Sequence, residues 1–396
     1  MSEPEKSSLF PTYARYPLTF VKGEGSRLWD DTGKEYIDLM SGIAVTNLGH
    51  APKQVKEKLM EQLDQIWHTG NLFHIPNQEK LATILTDNSC ADAVFFCSTG
   101  AEANEAAIKL ARRYSQKVRN SGRYEIITFE MSFHGRTLAT LTATGQEKVK
   151  EGFHPLPEGF VYAKYNDIES VKSLISDKTC AIMIEMIQGE GGVLPADESF
   201  IKELDELCKQ QELLLIVDEI QTGLGRTGKL FAYEHYGIEP DIFTLAKGLG
   251  SGFPIGAMLG KAELAEAFSA GTHGSTFGGN PLATAAGIAT LETLLNEQLP
   301  ERAAQLGTHV TDTLSAKLAG NPLVQEIRGK GLLIGITCTQ AGADIIKEIH
   351  EEGVLVIPAG PNVIRLAPSL NIPQEDLDKG LDIICSVLAK KASALV

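Results

Sequence analysis

The sequence predicts an α/β fold: a large domain on a mostly parallel central sheet, plus a smaller α+β domain assembled from the two ends of the chain. Three observations carry this. Between residues 93 and 245, short apolar runs alternate with amphipathic stretches, the pattern of buried strands covered by helices on both faces. Ahead of that region lie strand-like pieces around a turn closed by Gly33. Behind it, helices and strands alternate on a smaller scale, without the long apolar runs.

The elements follow in order. Residues 20–25 lead into a strand at 26–29, the turn Asp30-Asp31-Thr32-Gly33, and a second strand at 35–39. Val55, Leu59, Leu63 and Ile66 have helical spacing. Strands are expected at 93–97, 125–129, 180–187, 213–217 and 242–245, with helices at 102–114 and 200–211. An Ala-rich helix at 281–295 starts the exit from this region. It is followed by a helix at 303–318, strands at 324–328 and 331–337, a helix at 345–351 and a strand at 363–367. The expected division is an N-terminal segment, 1–46, packing with the small domain; a large domain, 47–285; and a C-terminal small domain, 286–396.

Composition narrows the function. A formal net charge of −15 opposes non-specific nucleic-acid binding, which needs Lys and Arg to replace phosphate counterions, and gives no basic anchor for anionic lipid. No apolar run approaches the roughly 20 residues that span a bilayer. The polar start, Met1 to Lys6, is unlike a secretory signal. Six scattered cysteines without a CxxC read as reduced thiols, and nine histidines without close ligand spacing offer no metal site. Together these features predict a cytoplasmic protein.

Three segments carry chemistry. In the first, an apolar strand ends in Cys97-Ser98-Thr99-Gly100-Ala101, and a helix begins at once. Ser98 or Thr99 can cap it, Gly100 admits a ligand close to the backbone, and the first helical amides suit a phosphate. In the second, Asp218 and Glu219, followed by Ile220 and Gln221, stand at the C-terminal end of an apolar strand, where open α/β sheets bind ligands. In the third, Lys247 ends the apolar run 242–246 and enters a Gly-rich turn. A lysine in such surroundings loses its charge readily, and its neutral amine attacks aldehydes.

Each segment alone also fits an ordinary capped helix, an acidic turn or a surface lysine. Taken together and in this order, they meet the needs of pyridoxal phosphate: an anion site, an acid to keep the pyridine nitrogen protonated, and a lysine for the Schiff base. A competing motif, Gly223-Leu-Gly225-Arg-Thr-Gly228, fits the G-x-G-x-x-G of nicotinamide- or flavin-dependent oxidoreductases. Its context argues against that reading. Four residues, Asp218 to Gln221, separate the strand from Thr222 and the glycines, no long amphipathic helix follows, and Gly248 stands where a ribose-binding acid is wanted.

The blocks Ser98-Thr-Gly-Ala-Glu-Ala-Asn-Glu105, Phe133-His-Gly-Arg-Thr137, Gln188-Gly-Glu-Gly-Gly192, Val217-Asp-Glu-Ile-Gln221, Leu245-Ala-Lys-Gly248 and His273-Gly-Ser-Thr-Phe-Gly-Gly-Asn280 resemble those of the class III, or ω-type, aminotransferases. The similarity runs from about Tyr16 to the C-terminus. It implies fold type I of the pyridoxal-phosphate transferases. It implies that Lys247 is the Schiff-base lysine and proton shuttle, and that Asp218 pairs with the pyridinium nitrogen. Gly100 and Ala101, in the loop with Ser98 and Thr99, would hold the phosphate. Phe133 would stack on one ring face, with Asp218, Glu219, Ile220 and Gln221 framing the other side.

By the same resemblance, Thr276 reaches the phosphate of a neighbouring subunit in a homodimer with shared sites, and Arg136 and Ser275 contact the amino donor. Arg365 binds the α-carboxylate of L-glutamate and 2-oxoglutarate, and Glu190 masks it when an ω-amino donor binds. The run 231–241 and Gly-Phe-Pro-Ile-Gly-Ala257 are similar to the branch of the class whose donor is N2-acetyl-L-ornithine, in arginine biosynthesis. Ornithine is the close alternative donor.

Overall fold

The computed structural model describes residues 8–394; residues 1–7 of the expected N-terminal segment and 395–396 of the C-terminal one lie outside the described residues. The chain opens with an antiparallel meander, β1 (Phe20–Glu24), β2 (Arg27–Asp30) and β3 (Glu35–Asp38). This is one strand more than the patterning suggested. β1 is mostly exposed, so it lacks the apolar alternation that marks a half-buried strand.

The central sheet contains β4 (Ala93–Cys97), β5 (Glu125–Phe129), β6 (Phe160–Ala163) and β7 (Thr179–Ile184). After the small hairpin β8 (Ile187–Gln188) and β9 (Leu194–Pro195), it is completed by β10 (Leu214–Asp218), β11 (Ile242–Leu245) and β12 (Gly256–Gly260). The order across the sheet is β4-β12-β11-β10-β7-β5-β6. The pairs β5–β6, β5–β7, β7–β10 and β10–β11 are parallel, while β12 runs antiparallel to both β11 and β4. The reason is length: only residues 246–255 join β11 to β12, and a parallel return needs a crossover of a dozen residues or more.

Alternation along these strands divides the core in two. Ile127, Ile182, Ile184, Leu215, Val217 and Phe243 face one cluster; Ile126, Met183, Leu214, Ile216 and Ile242 face the other. Helices cover both. In Glu198–Gln211, the residues Phe200, Ile201, Leu204, Leu207 and Cys208 form the buried stripe, and Glu212 ends the helix with a left-handed φ of 54°.

The C-terminal part forms an antiparallel sheet in the order β13-β14-β17-β16 from β13 (Val324–Lys330), β14 (Leu333–Cys338), β16 (Ile357–Pro358) and β17 (Val363–Leu366). Its remaining strand, β15 (Val354–Leu355), pairs in parallel with β3, so the two chain ends share a sheet. The final helix, Gln374–Ser393, ties them further: Asp376 accepts from Ser26 Oγ at 2.6 Å and from Arg27 Nη2 at 2.5 Å.

The expected boundary at 285/286 meets no break in the chain. It falls inside one unbroken helix, Pro281–Asn296, capped by Asn280 Oδ1 on the Ala283 amide at 2.9 Å. That helix packs on Lys53–Leu63 and Pro76–Asp87, with Gly287 allowing close approach to Leu81. No helix among the described residues is long and apolar enough to cross a membrane.

Candidate active site

The C-terminal ends of β4, β10 and β11 deliver Ser98, Asp218 and Lys247 to one cavity of 440 Å³. Thr99, Gly100, Ala101, Phe133, Arg136, Ile220 and Gln221 also line it, so most of the residues singled out in the sequence converge there.

At one end of the cavity starts the helix Gly100–Arg113. Its capping box is complete: Thr99 Oγ1 accepts the Glu102 amide at 3.2 Å, and Glu102 Oε2 accepts the amides of Thr99 and Ser98 at 3.0 and 2.7 Å. Those two amides are therefore used. Gly100 and Ala101, the first helical residues, have amides without intrahelical acceptors, and they carry the positive end of the helix dipole. A Cβ at Gly100 would stand 2.8 Å from Ile220 Cδ1, so any side chain here would have to displace Ile220.

Asp218 is fixed from beneath. Its Oδ2 accepts from Asn104 Nδ2 and from the His134 ring Nδ1, both at 2.8 Å, and its Oδ1 accepts the Ile220 amide at 3.0 Å. Asn104 is held in turn by Thr244, whose hydroxyl donates to Asn104 Oδ1 at 2.8 Å. Burial by itself lowers the His134 imidazole, but its bond to Asp218 and the charges of Asp218 and Glu185 outweigh it, and the net shift is upward.

Lys247 stands opposite with a φ of +40°. Burial pulls its ammonium down to about 8; Glu190 opposes the shift and Arg365 adds to it. Arg365, on β17, is 2% exposed. Its Nη1 donates to Glu190 Oε1 at 2.5 Å and to Gln221 Oε1 at 3.0 Å. Burial raises the Glu190 carboxyl, but Arg365 more than compensates and holds it below the usual range. The arginine–glutamate pair thus meets the cavity through Gln221.

Not every residue singled out in the sequence lines this cavity. Glu219 does not line the cavity; its carboxylate accepts from Thr222 Oγ1 at 2.6 Å and from the Tyr233 amide at 2.9 Å. Successive side chains at a strand end point to opposite sides, so Asp218 and Glu219 cannot both face the same ligand. Within one chain Ser275 and Thr276 lie in a second cavity of 470 Å³, which shares Ser98 with the first. The glycine-rich turn 223–228 is buried, and only a short 3-10 helix, Ala232–Tyr236, follows it. No long helix presents its N-terminus to a dinucleotide there, which removes the structural basis for the oxidoreductase reading.

Sequence reasoning missed Asn104 and His134, although both lie in quoted motifs, and it gave Glu185 no role. Glu185 lines the cavity one residue beyond β7, a strand-end acid like Asp218. Its carboxyl accepts the Phe133 amide at 3.0 Å, and burial pushes it up to about 7, against the lowering effect of His134.

The sequence pattern of the family described as "Aminotransferase class-III" matches residues 11–388. This chain belongs to that family. Acetylornithine aminotransferase of Oceanobacillus iheyensis is 52% identical over 371 residues, 94% of this chain and 93% of that one. The enzyme of the same name from Bacillus subtilis is 49% identical over 384 residues, covering 97% and 98%. Among solved structures, ornithine aminotransferase from Toxoplasma gondii matches with a TM-score of 0.94 at 34% identity, covering 98% of this chain and 94% of that one. N-acetylornithine aminotransferase from Stenotrophomonas maltophilia matches with 0.84 at 37%, covering 96% and 98%.

As a class-III aminotransferase, the protein has the type I fold and depends on pyridoxal phosphate. The site fits that cofactor on its own terms. It offers two unsatisfied helix amides for a phosphate, a glycine where a side chain would intrude, a braced carboxylate and a lysine with a lowered pKa.

Proposed function

We propose that this aminotransferase moves the δ-amino group of N2-acetyl-L-ornithine to 2-oxoglutarate. The products are N-acetyl-L-glutamate 5-semialdehyde and L-glutamate, as in arginine biosynthesis. The observation that carries a two-substrate site is the Glu190–Arg365 pair at 2.5 Å beside Gln221. The choice of donor is supported by relatives of that name at 52% and 49% identity across nearly the whole chain.

When bound, pyridoxal phosphate supplies an electron sink for the carbanion formed at the donor carbon. Lys247 would hold the cofactor through its Nζ, and as a free amine that Nζ would accept a proton from the donor δ-carbon. Asp218, its carboxylate fixed by Asn104 and His134, would keep the pyridine nitrogen protonated. Among the residues lining the cavity, the amides of Gly100 and Ala101 would hold the phosphate, with Ser98 and Thr99 shaping that end, and Phe133 would flank the ring.

Arg136 reads the donor's carboxylate, aided by Ser275. Arg365 stays masked by Glu190 while this donor is bound, then clamps the α-carboxylate of glutamate or 2-oxoglutarate when Glu190 swings away. Thr276 completes the phosphate site of the partner subunit, so the working form is a homodimer, placed in the cytoplasm. The N-terminal segment and the C-terminal part act as one small domain, supported by the β3–β15 pairing.

Ornithine as donor is the second reading, favoured by the TM-score of 0.94 to the Toxoplasma enzyme. A panel of N-acetylornithine, ornithine, succinylornithine, 4-aminobutyrate and lysine with 2-oxoglutarate decides between them. The proposal expects the highest kcat/KM for N-acetylornithine; a preference for free ornithine or 4-aminobutyrate rejects it while leaving the chemistry of the site intact.

A further inference from the structure

Arg226 lies in the glycine-rich turn 223–228, to which the transamination reading gives no role, and it is fully buried. Its acceptors are all neutral. Nη1 donates to the carbonyls of Leu332, at 3.1 Å, and Pro368; Nη2 donates to Asn47 Oδ1 at 2.8 Å. Its own carbonyl accepts the Leu332 amide at 2.9 Å. Burial pulls the guanidinium down to about 9, opposed by the charge of Asp38. An apolar side chain would pack here without the cost of desolvating a cation. It would not make directional bonds from one turn to three distant segments.

Asn47 completes the arrangement. It is 1% exposed, its Nδ2 donates to the Leu224 carbonyl at 3.0 Å, and its own carbonyl accepts the Leu370 amide at 2.8 Å. Its side chain lies directly on Gly248, where a Cβ would stand 2.3 Å from Asn47 Nδ2. The residue before Gly248 is Lys247, at a φ of +40°, a region that a residue with a side chain holds only when its surroundings enforce it. Four residues on, Ser251 is also at positive φ, 44°, and its Oγ accepts the Leu48 amide at 2.9 Å. Residues 47 and 48 therefore grip the lysine turn at two points. Pro368 and Leu370 follow directly on β17, which carries Arg365.

We propose that Asn47 and Arg226 form a clasp that sets the Lys247 turn in place relative to the segment carrying Arg365, and that both are positioning residues for the reaction. This rests on the reading of Lys247 as the cofactor-bearing lysine.

The test compares the cofactor-loaded wild type with Asn47→Ala and Asn371→Ala. Asn371 Nδ2 donates to the Leu48 carbonyl at 3.1 Å, so its loss removes a neighbouring bond while leaving those of Asn47, Arg226 and the Leu48 amide in place. Four quantities are read: Tm, kcat, KM, and the midpoint of the pH titration of the bound cofactor's visible band. Asn47→Ala is expected to lower kcat by about 10- to 100-fold with KM within about threefold, because it displaces the reacting amine rather than the substrate contacts. It is also expected to move the titration midpoint by about half a pH unit or more. Asn371→Ala is expected to lower Tm while leaving kcat and the midpoint near wild type.

An Asn47→Ala protein with wild-type kcat and midpoint overturns the clasp, as does an Asn371→Ala protein shifted as far. If Asn47→Ala does not fold, Asn47→Ser takes its place with the same readouts. A wild type that forms no lysine-linked cofactor band overturns the reading of Lys247 itself, whereas a normal wild-type band with an unchanged Asn47→Ala overturns the clasp alone.

Discussion

Arg365 donates to Glu190 at 2.5 Å and to Gln221 at 3.0 Å while only 2% exposed, so the residue best suited to clamp a carboxylate is already engaged by one of the chain's own. Removing Arg365 takes away the clamp and, more weakly, one of the charges that lower the Lys247 ammonium. Arg365→Ala is expected to slow the 2-oxoglutarate half-reaction by about 100-fold and the donor half-reaction far less, as loss of a buried charge-assisted contact implies. Single-turnover rates of the two halves check this; equal losses count against a switch.

Asp218 depends on a side chain far away in sequence. Asn104→Ala deletes one of the two donors to its Oδ2 and frees the Thr244 hydroxyl as well. A loss of about 10- to 100-fold in kcat is expected, the usual cost of a bond to a charged group in a buried network. Unchanged kcat and unchanged cofactor absorbance would show that His134 alone suffices to orient the carboxylate.

Gly100 tests the phosphate end. Gly100→Ala drives a methyl group onto Ile220 and is expected to weaken cofactor affinity about tenfold or more. Gly100→Ala combined with Ile220→Ala should restore much of it, because the clash lies with one side chain. Equilibrium cofactor titration of the single and double variants decides; no rescue would place the role of the glycine elsewhere.

Lys247 gives a pH dependence with a definite sign. Its folded pKa is lowered to about 8, so the neutral, reactive amine accumulates as pH rises through 8 rather than through the ordinary lysine range. Covalent cofactor uptake by the apoprotein should therefore be half-maximal near pH 8 and level off about a pH unit above it. By linkage, the unfolded chain binds the extra proton between about 8 and the ordinary lysine value, so this group makes the apoprotein more stable as pH rises across that window. An uptake rate still climbing at pH 10 would mean that the lysine is not desolvated.

Much of this site was legible because its signals are local. The Thr99–Glu102 capping box lies within four residues, and Asp218 and Lys247 each end an apolar run that only a buried strand explains. What stayed hidden depends on distance or direction. Asn104 and His134 meet Asp218 across 114 and 84 residues, separations that no spacing rule reaches. The place of Arg226 stayed hidden because the motif records glycines, which the context had already set apart from a nucleotide loop, and not the carbonyls of Leu332 and Pro368 that surround the guanidinium. The antiparallel β12 was invisible for a different reason: Gly256–Gly260 is short and glycine-bounded, and it becomes a strand only because Phe96 and Phe243 present edges to pair with. Glu219 could have been excluded from sequence, since a strand turns alternate side chains to opposite faces.

The most direct test of the whole account is a single-turnover experiment on cofactor-loaded wild type and Lys247→Ala. N-acetylornithine alone is added first, and 2-oxoglutarate afterwards. The account predicts that the wild type loses its visible band as one equivalent of semialdehyde forms and regains it as one equivalent of glutamate forms, and that Lys247→Ala does neither at a comparable rate. A Lys247→Ala protein that completes both phases at near wild-type rates would contradict it.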